Sequence, residues 1–187
     1  MVQDLDNINY INLWPTTLCA STLAVDFDKF KKEIYKLAEA PSVSKSNYGG
    51  WQSHSDLHLN DVFKPLQDYV KNMCVKIFNC DASIEQMWAN INKKHDHNLI
   101  HSHGNLFNMS GVFYINVDEN SGDIVFRDPR PGAVYARDRL FIYGDSEHFK
   151  PFQGFLLLFP SYLEHFVLPS ASDIDRISLS FDIILER

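Results

Sequence analysis

Apolar residues recur at helical spacing in two places near the start of the chain and at strand spacing in the rest of it. Residues 26–39 place Phe27, Phe30, Ile34 and Leu37 on one helical face, with acidic residues early and lysines late, as the helix dipole favours. Pro41 stops this helix. Residues 61–78 predict a second helix with Phe63, Leu66, Val70, Met73 and Ile77 on one face. Pro65 falls in its first turn, where proline is tolerated. Ahead of the first helix, residues 8–18 predict an edge strand interrupted at Pro15. Between the helices, residues 42–57 are rich in turn formers and read as a loop.

From residue 84 onward the period changes. The runs EQMWANINK, NMSGVFYINV, GDIVFRDP, GFLLLFP, EHFVLP and DRISLSFDII are short and rich in aromatic and β-branched residues, and turn formers separate them. Helices followed by such strands predict a mainly β fold, with the helices packed on one sheet of an antiparallel sandwich or barrel. The organisation is one domain over residues 1–187, with a strand and helices in 1–83 and the β core in 84–187. Residues 131–153 have no clear period and carry Tyr135, Phe141, Tyr143 and Phe149, which favours a packed lid. In the last strand Ile177, Leu179, Phe181 and Ile183 share one face, and Arg176, Ser178, Ser180 and Asp182 share the other. The polar face lines either a barrel interior or the solvent, and alternation alone does not choose.

Composition narrows the function classes. A formal net charge of −7 argues against a nucleic-acid partner, which needs a basic face. High aromatic content excludes a disordered chain. Three cysteines without metal-ligand spacing read as free thiols in a reducing compartment, so the expected location is cytoplasmic. No leader-like start or long apolar run is present, so neither export nor a membrane partner is expected. The predicted edge strand could pair two copies as a homodimer.

The chemistry concentrates in the histidines. Four of the eight lie between positions 95 and 103: His95, His97, His101 and His103. His101-x-His103 in an extended chain puts two imidazoles on one side, about 6–7 Å apart at Cα. Converging side chains from there can hold a metal ion, with His165, opening a later strand, as third ligand. His95-x-His97 fits the same spacing, so spacing does not decide which pair binds. Arg176 follows on the next strand, with Ser178 on its face. A buried arginine needs an anion, and its planar fork suits a carboxylate. The structural alternative is a salt bridge with Asp173 or Asp175.

In this order the residues resemble the iron(II)- and 2-oxoglutarate-dependent oxygenases, a superfamily folded as a double-stranded β-helix, or jelly roll. Its signature is His-x-Asp/Glu, a distal His, and then Arg or Lys, often followed by x-Ser. Here His101-Ser102-His103, His165 and Arg176-Ile177-Ser178 stand in that order. Tyr114 stands where prolyl-hydroxylase-like members carry a tyrosine that hydrogen-bonds 2-oxoglutarate. A marine bacterial and phage subgroup that also carries His-x-His is similar in Gly49-Gly50-Trp51-Gln52-Ser53, Trp88-Ala89-Asn90-Ile91-Asn92, His101-Ser102-His103, Ser110 to Tyr114 and Asp128-Pro129-Arg130. The resemblance spans nearly the whole chain.

It implies Fe(II) on His101, His103 and His165, and 2-oxoglutarate on Arg176, Ser178 and Tyr114. It further implies O2-dependent hydroxylation of a C–H group in a small molecule or peptide side chain, with release of succinate and CO2. Asn90, Asn92, Asp128, Arg130 and Trp51 are the substrate-contact candidates. One departure stands out: His103 replaces the superfamily's carboxylate ligand. Three imidazoles also suit Zn(II), Ni(II) or Cu(II), and a non-ligating His103 would leave its position to water or an anion. The rival readings are a three-histidine dioxygenase independent of 2-oxoglutarate and a non-catalytic metal-binding jelly-roll module.

Overall fold

The first apolar periodicity forms helix α1 (Phe27–Leu37) in a computed structural model, which describes residues 11, 13–104, 106–131 and 146–186. Asp26 caps it, accepting from the Lys29 amide at 3.0 Å. The second helix begins as a 3-10 turn over Asp61–Phe63 and continues as α2 (Lys64–Phe78), closed by Asn79 in the left-handed conformation. Its buried stripe is Leu66, Val70 and Cys74, while Ile77 is 42% exposed. Of the expected face, Phe63, Leu66 and Val70 are buried and Met73 packs against the same core, and Cys74 joins them in place of Ile77.

The strands are β1 (Cys19–Thr22), β2 (Asn47–Tyr48), β3 (Trp51–Gln52), β4 (Asp81–Asn92), β5 (His97–His101) and β6 (Met109–Asn116). They continue as β7 (Ile124–Arg127), β8 (Ser146–Phe149), β9 (Phe155–Pro160), β10 (His165–Val167) and β11 (Arg176–Glu186). A six-stranded sheet runs β1-β9-β6-β11-β4-β3 and a five-stranded sheet β2-β5-β10-β7-β8. All these pairs are antiparallel.

Several expectations shift. The edge strand starts at Cys19, beyond Pro15, which has no amide proton to give a ladder; residues 1–10 and 12 lie outside the described residues. The stretch read as a loop contains β2 and β3, which pair with β5 in one sheet and β4 in the other. Gly49 and Gly50, at φ +69° and +63°, turn the corner between the sheets. The C-terminal part of the expected lid is strand β8, paired with β7. Residues 132–145, with Tyr135, Phe141 and Tyr143, lie outside the described residues.

Two apolar layers result. Phe30 and Ile34 of α1 and Leu66, Val70 and Cys74 of α2 pack on one face of the larger sheet, against Met87, Phe113 and the apolar face of β11. Between the sheets, Val112, Leu157 and Phe159 meet Ile124 and Phe126. The polar face of β11 points into this second layer, so the barrel interior, not solvent, receives Arg176, Ser178 and Asp182.

Gly111 lies where β6 crosses the helix-side core. A Cβ there would stand 2.4 and 2.5 Å from the Phe181 ring and 2.8 Å from Leu158. Gly111→Ala is therefore expected to destabilise the fold by about 1–3 kcal/mol, read from the midpoint of urea unfolding.

Candidate active site

His101 and His165 are direct register partners across β5 and β10, and their ring centroids lie 4.4 Å apart. A bulge shapes this pairing. Val167 pairs with Asn98 while His165 pairs with His101, so β5 spends one more residue than β10 over the same stretch. Asn98 and His101 thereby face the same inter-sheet cleft. Leu99 and Ile100, between them, are both about half exposed. His103 lies just past β5, held by its amide donating to the Ser161 carbonyl at 2.9 Å. Its ring centroid is 5.3 Å from that of His101 and 5.1 Å from that of His165.

One nitrogen from each of the three rings lies within 4.8 Å of the others. The Nδ1 atoms are committed elsewhere. His101 Nδ1 donates to the Leu99 carbonyl at 2.7 Å, and His165 Nδ1 to the Leu163 carbonyl at 2.9 Å. A carbonyl can only accept, so Nδ1 carries the proton and Nε2 keeps a lone pair. His103 Nδ1 faces the Asp182 carboxylate. Burial pushes the His165 pKa from 6.5 down to about 3, helped by the neighbouring His101, and burial lowers that of His101 too. Both rings are thus neutral near pH 7, the form a metal requires. The residues fit a divalent transition metal. His95 sits in the β4–β5 turn with φ +73°, its amide bonded to the Ser170 carbonyl, and His97 stacks on Tyr48. Among the described residues that pair joins no group of converging metal-ligand side chains.

Arg176 occupies the same cleft and is 1% exposed. Asp173 pairs with Lys94 and Asp175 accepts from Tyr35, so the expected salt-bridge alternative does not form. Arg176 instead donates weakly to Ser178 Oγ and Tyr114 Oη, both at 3.4 Å, with its guanidinium 5.0 Å from the Tyr114 ring centre. Its Nε has no hydrogen-bond partner among the described residues. Burial disfavours its charge and lowers its pKa, and a bound anion would relieve that penalty. The residues fit a carboxylate ligand.

Asn90 and Asn92 pair with Ser178 and Arg176 across β4 and β11 and are buried. Their amides donate to Ser180 and Asn98, and each Oδ1 lacks a donor among the described residues. Asp128 and Arg130 hold each other in a two-pronged pair at 3.0 and 2.6 Å, which keeps the Asp128 carboxyl below its usual range. They line a larger, separate cavity with Phe149 and Leu163. Trp51 also falls elsewhere. It pairs with Ile91, packs on the helix-side core and donates to the Ala40 carbonyl at 2.9 Å. One-residue alternation along β3 puts Trp51 on the face opposite the cleft.

Three polar residues of this layer had no role assigned from sequence: Asp182, Ser110 and Asn98. Asp182 was visible as a carboxylate on the inward face of β11. The others depend on cross-strand register and on a bulge that no spacing rule announces.

The depressed His165 pKa has a consequence for the metal-free protein. The unfolded chain takes a proton near pH 6.5 and the folded one only near pH 3, so between these values the unfolded state binds more protons. Stability therefore falls on acidification through that window, by at most about 1.4 kcal/mol per pH unit from this one group. Urea unfolding at pH 7.5 and 5.5 is expected to show the drop, and His165→Gln to shrink it.

Comparison with known proteins places the architecture. It is similar to a Pseudomonas putida prolyl-4-hydroxylase, with TM-score 0.64 and 15% identity over 92% of this chain and 93% of that one. It is similar to SnoN, a non-heme α-ketoglutarate-dependent epimerase of nogalamycin biosynthesis, with TM-score 0.71 and 10% identity over 90% and 78%. It is similar to HygX from Streptomyces hygroscopicus, solved with nickel and 2-oxoglutarate bound, with TM-score 0.64 and 11% identity over 90% and 82%. At such identities the likeness establishes the jelly-roll fold. A search of curated proteins finds no match. Residues 86–182, more than half of the chain, match the family model described as "Putative 2OG-Fe(II) oxygenase". The chain belongs to that family of oxygenases, whose cofactors are iron(II) and 2-oxoglutarate.

Proposed function

We propose that His101, His103 and His165 hold the iron and that Arg176 holds the distal carboxylate of 2-oxoglutarate, in an enzyme that hydroxylates a C–H group of a small molecule or peptide side chain. The observation that carries this reading is a fully buried guanidinium, with no carboxylate within salt-bridge reach among the described residues, lining one cleft with three converging imidazoles. When bound, iron with 2-oxoglutarate supplies the power to activate O2 for C–H hydroxylation, releasing succinate and CO2. The protein's part is positional. Arg176 presents its planar fork to the carboxylate, and Ser178 and Tyr114 add hydroxyls beside it. Val112, Ile124 and Phe159 wall the cleft with apolar surface and keep water out. Asn90 Oδ1, buried and without a donor among the described residues, is set to accept from an O–H or N–H of the bound substrate.

The rival that dispenses with 2-oxoglutarate leaves the buried Arg176 without an anionic partner among the described residues. We read the chain as one oxygenase domain acting in the cytoplasm. Three free thiols support that location, and among the described residues no helix is long and apolar enough to cross a membrane. The acidic charge disfavours a nucleic-acid substrate. Strand β1, at the edge of the larger sheet, is where a second copy could pair.

Anaerobic addition of Fe(II) and then 2-oxoglutarate to the metal-free protein is expected to produce a weak visible charge-transfer band. Arg176→Ala should raise the 2-oxoglutarate needed for half the band roughly 10- to 100-fold, the worth of one or two lost charge-assisted hydrogen bonds. His165→Ala should abolish the band. An unchanged 2-oxoglutarate requirement in Arg176→Ala would refute the assignment.

A further inference from the structure

The superfamily signature has a carboxylate where this chain has His103, and three neutral imidazoles leave the metal charge less compensated. A carboxylate is nevertheless present one residue further out. Asp182 Oδ1 lies 2.5 Å from His103 Nδ1, and Ser110 Oγ donates to the same oxygen at 2.6 Å. Ser110 also reaches Ser161 Oγ at 2.9 Å, and the Ser161 carbonyl accepts the His103 amide. Ring and backbone of His103 are therefore tied to one buried network. Asp182 is 3% exposed, and His103 is its salt-bridge partner among the described residues; no lysine or arginine there comes within 4 Å of it. A buried carboxylate without a cation is costly. A cation on the far side of the His103 ring would supply the missing charge.

We propose that Asp182 is the positioning residue that lets a histidine stand in for the carboxylate ligand of the superfamily signature. It holds the His103 proton on Nδ1, aims Nε2 at the metal, and returns the missing negative charge through the ring. This rests on the reading of His103 as a ligand. The geometry differs from that of the other two histidines, whose Nδ1 atoms meet neutral backbone carbonyls. Only His103, the ligand that departs from the pattern, is backed by a full charge. Carboxylate-backed histidines are more basic ligands, and loss of such a partner typically weakens metal binding about 10- to 100-fold.

The test is Co(II) titration of the metal-free full-length chain, read by the visible ligand-field bands without cosubstrate, in two pairs of proteins. Asp182→Asn keeps an acceptor for Nδ1–H and removes the charge. Against wild type it is expected to weaken Co(II) binding about 10- to 100-fold and to raise the reduction potential of the iron-loaded protein. In the His103→Asp background the same change should act in the opposite direction. There Asp182 faces a second carboxylate, so His103→Asp/Asp182→Asn should bind Co(II) more tightly than His103→Asp alone. A purely structural Asp182 would weaken binding in both backgrounds.

Equal affinity and equal potential for wild type and Asp182→Asn overturns the proposal, as does the same sign of effect in both backgrounds. If Asp182→Asn does not fold alone, Ser110→Ala decides. It removes one hydrogen bond from Oδ1 and keeps the charge, so a weakening as large as that of His103→Ala would overturn a charge role. His103→Ala separates the two levels: if it binds Co(II) as wild type does, the ligand assignment itself falls, whereas a loss there with no effect at Asp182 refutes only the role of Asp182.

Discussion

Strand β11 has both faces out of water, and the rest of the molecule is arranged around that constraint. Ile177, Leu179, Phe181 and Ile183 are fully buried against the helix side, while Arg176, Ser178 and Asp182 are buried between the sheets. A slip of one residue would exchange these faces, driving a guanidinium and a carboxylate into the helix-side core and four large apolar side chains into the cleft. Register is therefore specified by every residue of the strand at once. The neighbouring strands repeat the division in rows: Asn90, Ser178 and Tyr114 stand side by side across β4, β11 and β6, and Asp182 stands opposite Ser110. The cleft is built from such rows, so its chemistry is a property of the pairing as much as of any one residue.

Those rows leave two opposite charges buried on one strand face, six residues apart and so separated by about 20 Å along the strand. They do not pair with each other. Among the described residues Arg176 has only long hydrogen bonds to two hydroxyls, and Asp182 leans on a histidine and a serine. Each end of the cleft is thus polarised toward a ligand of opposite sign: an anion at Arg176, a cation at His103. An iron ion chelated by a cosubstrate that ends in a carboxylate would meet both demands within one cavity. The apolar walls between them strengthen every electrostatic interaction by excluding water.

Two polar frames keep the histidines in place. The backbone carbonyls of Leu99 and Leu163 orient His101 and His165, and the Asp182–Ser110–Ser161 network orients His103. The Ser110-Gly111-Val112-Phe113-Tyr114 stretch serves both ends of the cleft. Ser110 supports Asp182, Gly111 admits the Phe181 ring on the opposite face, and Tyr114 meets Arg176. The Gly49-Gly50 corner and Trp51 do different work, joining the sheets and anchoring the edge. A motif shared along the chain therefore mixes residues of the cleft with residues of the frame.

The sequence by itself determined the helix-then-strand order, the two faces of β11, and a His-x-His pair followed by His165 and Arg176. These are local properties: periods of 3.6 and 2 are written in consecutive residues, and strongly patterned side chains report them directly. Only the tertiary structure decided that the polar face of β11 looks inward, because alternation is the same whether the partner layer is a second sheet or water. Only it separated His101-x-His103 from His95-x-His97, which have equal spacing but lie on a bulged strand end and in a turn with its following strand. It also moved Trp51, Asp128 and Arg130 away from the cleft and brought Asp182 to within hydrogen-bond reach of His103, 79 positions earlier in the chain. Contacts across such distances are set by sheet order and register, which depend on the whole chain folding together.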